Sequence, residues 1–187
     1  MRAISARVLA AALSIGTTMR KEYSRILKVL IEQGLQHSAF GWQAQKIKSR
    51  FIAAGERVFS KPGKGQLLFW TALVLHERFE TFTFEVGWSQ HGRFPELSMR
   101  PSLKAPSDAH TLPEYMVRLG RLIDGADRWW EVEAFTGTSN LQDLTKSIEP
   151  ISPEVARARV EPVAESALKA LELHAVPFLE ALFKTQL

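Results

Sequence analysis

The chain of 187 residues carries 24 basic and 20 acidic side chains, a net charge of +4, with 45% hydrophobic residues and no cysteine. That balance excludes a disordered acidic tail, a collagenous repeat and a disulfide-stapled miniprotein. It also removes Cys-type zinc sites, iron–sulfur clusters and dithiol redox pairs. The charge is uneven: residues 1–66 hold 12 basic against 3 acidic side chains, whereas residues 67–187 hold 12 against 17. The amino-terminal third is therefore the part that attracts anions.

Residues 1–18 pair Arg2 and Arg7 with a short apolar run at 8–15 and read as an amino-terminal extension or a weak leader-like helix. Residues 19–187 read as one domain, long enough to bury about 70% of the surface its unfolded chain exposes. No stretch approaches the roughly 20 apolar residues that cross a bilayer, and a cytoplasmic location is expected.

From 19 to 36, Tyr23, Ile26, Leu27, Leu30, Ile31 and Leu35 recur at helical spacing, with Lys21, Arg25 and Lys28 on the opposite side. Phe40, Ala44, Ile47 and Phe51 repeat at four, three and four, which predicts a second helix up to Gly55 with Lys46, Lys48 and Arg50 outward. A strand is expected over 57–61, a turn over 62–65, and a strand covered on both faces over 67–75. Residues 81–88 alternate, placing Phe82, Phe84, Val86 and Trp88 in the core and Thr81, Thr83 and Glu85 in water.

Residues 89–113, with four prolines, read as a long ordered loop. Thr111, Pro113 and Glu114 resemble a capping box opening a helix that aligns Leu112, Met116, Leu119 and Ile123 and ends near Gly125. A strand is expected over 128–135 and a polar connection over 137–150. Ser152 and Pro153 start a closing helix, interrupted or bent near Pro162 and restarted at Pro177. The order of elements predicts an α+β fold, an antiparallel sheet of four to five strands flanked by amino-terminal and carboxy-terminal helices.

Gly63-Lys64-Gly65 lies between strands and reads as a hairpin turn, not a phosphate cradle. Ser89 and His91 stand about 6–7 Å apart on an extended chain, and a nucleophile elbow needs glycine where His91 stands, so Ser89 reads as a turn residue. His76, Glu77 and His91 could hold an ion in a small metal-dependent enzyme only if the loop folded back over the hairpin end. No catalytic residue, metal-ligand set or cofactor motif is assigned. Two binding surfaces remain. One is the bend at the end of the aromatic strand, Trp88, Ser89, His91, Arg93 and Phe94, with Trp129 as a further anchor for a protein partner. The other is a nucleic-acid surface of Lys21, Arg25, Lys28, Lys46, Lys48 and Arg50, with Arg20, Arg57, Lys61 and Lys64 nearby, because neutralising phosphates takes clustered cations.

Phe84-Glu85-Val86-Gly87-Trp88-Ser89, Gly92-Arg93-Phe94-Pro95, Asp127-Arg128-Trp129-Trp130 and Val176-Pro177-Phe178-Leu179 together resemble a group of uncharacterised bacterial proteins. The resemblance spans residues 19–183 and implies an amino-terminal helix, an antiparallel sheet and a closing helix, with no assigned catalytic residue. Similar small domains occur among immunity proteins that neutralise bacterial toxins, which implies a non-enzymatic, intracellular, protein-binding role. The positive net charge departs from that of a typical nuclease inhibitor.

Overall fold

A computed structural model describes residues 18–76, 81–132 and 150–185, with side chains up to residue 182. Residues 1–17 of the leader-like segment and 137–149 of the polar connection lie outside the described residues. Helix α1 (Met19–His37) buries Tyr23, Ile26, Leu27, Ile31 and Leu35, the stripe that the spacing predicts. Four antiparallel strands follow: β1 (Gln43–Gln45), β2 (Arg57–Pro62), β3 (Leu68–Leu75) and β4 (Thr81–Ser89). A 3₁₀ turn (Pro106–Thr111) leads to β5 (Glu114–Arg118), the short helix α2 (Leu119–Ile123) and β6 (Trp130–Glu131). Helix α3 (Pro153–Ala170), a π-helical turn (Leu171–Ala175) and helix α4 (Val176–Thr185) complete the described chain.

The sheet runs β1-β2-β3-β4-β5, and β6 pairs with β4 beyond the end of β5. β5 and β6 therefore share one edge of β4, β5 along residues 85–89 and β6 along residues 81–82. The α+β class and the flanking helices agree with the sequence reading, with β1 and β5, in segments read as helix, bringing the strands to six.

The principal core lies between one sheet face and the helices, and takes Phe69, Leu73, Phe82, Phe84, Val86 and Trp88 from the strands. α3 packs on α1 and buries Ala156, Ala164 and Ala167, small residues that suit close helix packing. Leu168 sits so close to Gly34 that a Cβ there would overlap its side chain. Ser152 caps α3 by accepting from Val155 N at 3.3 Å.

The helix is not interrupted at Pro162. Ala158, whose carbonyl loses its partner there, and Pro162 both lie on the exposed face, where that loss is tolerated. The chain does not restart at Pro177 either. The π turn carries it through, with Val176 N donating to Leu171 O, one residue further back than in an α-helix.

A second core covers the other sheet face: Val58, Trp70, Ala72, Phe94 and Met116, with Ile47, Phe51, Ile52 and Leu97 packed on it. It explains three corrections. Thr83 and Glu85 are buried, not wet, because irregular segments cover the face on which they lie. The helix expected over 40–51 does not form, because Phe40 and Trp42 join the helix-side core whereas Ile47 and Phe51 join the opposite one. Gly41 takes φ of +81° and residues 43–45 pair with β2 as an edge strand. Likewise, residues 114–118 form a strand, because Tyr115 and Val117 face one core and Met116 the other, leaving only Leu119–Ile123 helical. Within the described residues, the strand expected over 128–135 is limited to Trp130–Glu131.

Gly87 lies opposite Met116. A Cβ on it would overlap Tyr115 O and come within 2.6 Å of Tyr115 C and 2.8 Å of Met116 Cα. Those atoms are backbone and cannot swing away, so Gly87→Ala is expected to cost about 3 kcal/mol, the upper end of overpacking penalties. Urea denaturation of the variant checks this. An unchanged midpoint would show that β5 shifts without strain.

Candidate functional site

The bend after β4 does not project the expected set. Trp88 is buried, its Nε1 donating to Leu112 O at 3.1 Å and its ring lying 5.2 Å from Tyr115 and 5.6 Å from Phe178. Ser89 is also buried. Its Oγ donates to Glu114 Oε1 at 2.8 Å and accepts from His91 N at 3.2 Å, so it organises the turn. Phe94 folds back edge-on to Trp70, with centroids 5.3 Å apart. Glu114, expected to cap a helix, also pairs with Arg93 at 3.0 Å.

His91 and Arg93 are exposed, but the aromatic side chains that would anchor a partner beside them are inside the protein. Trp129 stands at the far end of the sheet, 5.6 Å from His76 and 5.1 Å from the Arg118 guanidinium.

The same geometry separates the histidines. His76 N donates to Thr81 O at the start of β4, whereas His91 follows Ser89 at its end. Nine extended residues span about 27 Å, so His76 and His91 share no ion. Glu77 lies outside the described residues. Among those described, no group of three metal-ligating side chains assembles.

The cations do converge. The outer face of α1 presents Arg20, Lys21, Arg25 and Lys28 along a groove of about 640 Å³, which Arg57 at the start of β2 closes. A second groove, of about 600 Å³, runs from Arg57 and Glu32 to Lys46 and Lys48. Arg57 and Glu32 line both, so the two grooves adjoin.

Lys46 and Lys48 share a side because the chain after β1 is irregular, with Ile47 between them packed on the second core. Arg50 leaves the set. Its guanidinium lies 4.7 Å above the Phe51 ring and it lines neither groove, since the helix that would have aligned it does not form. Arg20 and Arg57 take part where the core set of the sequence reading did not include them. For Arg57 only β2 supplies the connection.

Three carboxylates lie near these cations: Glu32 lines both grooves, Glu56 lines the second, and Glu22 faces Arg25. Glu22 is held by Arg25 at 2.5 Å, and this pairing keeps its carboxyl below the usual range. Glu56 is occupied by Arg100 at 2.7 Å. Burial lowers the pKa of the Lys28 ammonium, and the neighbouring Arg57 lowers it further. The two cations are thus close enough to repel, the condition that an incoming polyanion relieves. The chain matches no protein-family model, no curated protein and no solved structure.

Proposed function

We propose that the protein binds nucleic acid through the adjoining grooves formed by α1, the start of β2 and the segment after β1. The observation that carries this reading is that Arg57, which lines one groove with the cations of α1, also lines the groove that holds Lys46 and Lys48. A helix face that is merely solvated would neither be concave nor bring in cations from a second element. The grooves offer charge and no exposed aromatic platform among their lining residues. They therefore suit contacts to the phosphate backbone, independent of sequence.

A protein-docking role at the sheet end is less well supported, because Trp88 and Phe94 contribute to the cores. No helix among the described residues is long and apolar enough to cross a membrane, and the proposal places the protein in a compartment that contains nucleic acid.

Fluorescence anisotropy with labelled duplex DNA and single-stranded RNA, measured between about 50 and 200 mM salt, tests the reading. Four phosphate contacts predict log affinity falling against log salt with a slope of about −3.6 for duplex and −2.8 for single strands. Absence of binding at the low-salt end, or affinity indifferent to salt, would overturn it.

A further inference from the structure

We infer that the cleft between the Met99–Leu103 segment and the β5–α2 junction is a binding site for a small carboxylate bearing a short apolar group. The cleft has a volume of about 260 Å³, and Arg100, Arg118 and Arg121 all line it. That is below the usual range for drug-sized ligands and matches a small one. Its walls are held in place: Ser102 N donates to Met116 O at 2.6 Å, and the Tyr115 hydroxyl donates to Lys104 O at 3.1 Å.

The guanidinium groups are only partly used by the protein. Arg100 exposes 6% of its side chain, and its Nε and Nη2 reach Glu85 at 2.5 Å and Glu56 at 2.7 Å, but its buried Nη1 has no hydrogen-bond partner. Arg118 donates to Asp127 through Nη1, yet its buried Nε also lacks a hydrogen bond and stands 3.8 Å from the nearest Glu85 oxygen. Arg121 is exposed and forms no ion pair among the described residues. Buried donors left unmade are costly, and a small shift of the two side chains toward the cleft would let an oxyanion held by Arg121 satisfy them. Burial also raises the Glu85 pKa, a rise that the Arg100 charge opposes.

The apolar requirement comes from the rim. Met99 and Leu103 are 58% and 74% exposed, and these two of the five large exposed apolar side chains among the described residues line this one cleft. They would cover the hydrocarbon of a ligand whose carboxylate meets the arginines. A carboxylate fits the planar guanidinium fork through two parallel hydrogen bonds.

The site is separate from the nucleic-acid groove and shares no lining residue with it. The test is NMR titration of the full chain with 4-methylpentanoate, acetate and inorganic phosphate, following the Arg Nε–H signals and the amides of residues 99–103 and 117–121. Saturable shifts confined to those residues are expected with 4-methylpentanoate, at an affinity at least tenfold above that for acetate or phosphate. The exposed-site variant Arg121→Ser should weaken binding, and Met99→Ser with Leu103→Ser should erase the preference over acetate. Charge reversal in the nucleic-acid groove should change neither. No saturable shift, phosphate bound as tightly as 4-methylpentanoate, or shifts mapping to α1 and β2 would each overturn the assignment.

Discussion

Replacing Arg100 with methionine is expected to lower the stability of the protein by about 3–5 kcal/mol at neutral pH, the usual consequence of removing one partner from a buried ion pair. Arg100 is the cation shared by Glu85 and Glu56, whose side chains are only 3% and 7% exposed. Without it, two carboxylates remain in a part of the second core that Phe94, Met116 and Trp70 keep apolar. Replacing all three members, with Glu85→Gln and Glu56→Gln added to Arg100→Met, is expected to recover part of the loss because no buried charge is left unpaired.

The loss also has a defined pH dependence. Burial raises the pKa of Glu85, and Arg100 is the largest influence opposing that rise. Removing Arg100 raises it further. A carboxyl whose pKa is higher in the folded than in the unfolded state takes up a proton on folding. Its contribution to stability is therefore most favourable at acid pH and declines as pH rises through the interval between the two values. The Arg100→Met deficit should be greatest at neutral and alkaline pH and shrink below it. Urea denaturation at about pH 7 and pH 5 measures both features. A deficit below about 1 kcal/mol, equal at the two pH values, would show that the ion pairs contribute little.

Reversing Lys21, Lys28 and Arg57 together to glutamate is expected to weaken nucleic-acid binding at least 100-fold at low salt. Each lost phosphate contact also removes about 0.9 from the salt slope on duplex DNA, so the slope should flatten by close to 2.7. The three come from two elements and line one groove, whereas Lys104 and Lys169 are exposed but line neither groove. Lys104→Glu with Lys169→Glu should leave affinity within about threefold, since charges distant from the contacts act only through a screened field. Equal losses in both variants would assign the binding to net charge and remove the groove from the explanation. Circular dichroism should show both variants folded, because all five side chains sit at the surface or, for Lys28, at the edge of the groove.

Much of the fold is legible in the sequence. The stripe from Tyr23 to Leu35 is a local period, and so is the alternation from Phe82 to Trp88, and each forms the element it predicts. The Ser152-Pro153 start of α3 is equally local, one hydroxyl reaching one amide. The two helices that fail to form share one cause. Phe40, Ile47 and Phe51 have helical spacing but belong to cores on opposite sheet faces, and Tyr115, Met116 and Val117 are divided in the same way. A hydrophobic period reveals how often a residue is buried, not which layer it is buried in.

The candidate sites divide along the same line. The sequence by itself determined the excess of cations in the first 66 residues, the cationic side of α1, and the antiparallel α+β class. Only the tertiary structure decided that Arg57 meets Lys28, that Arg50 turns to Phe51, and that Trp88, Ser89 and Phe94 lie inside. It also brought Arg100 and Arg118, eighteen positions apart, to the same Glu85 carboxylate. The physical reason is that period and composition act over one or two turns of chain. Whether a strand face meets water, and which charges become neighbours, depends on segments that return from far along the chain to cover it.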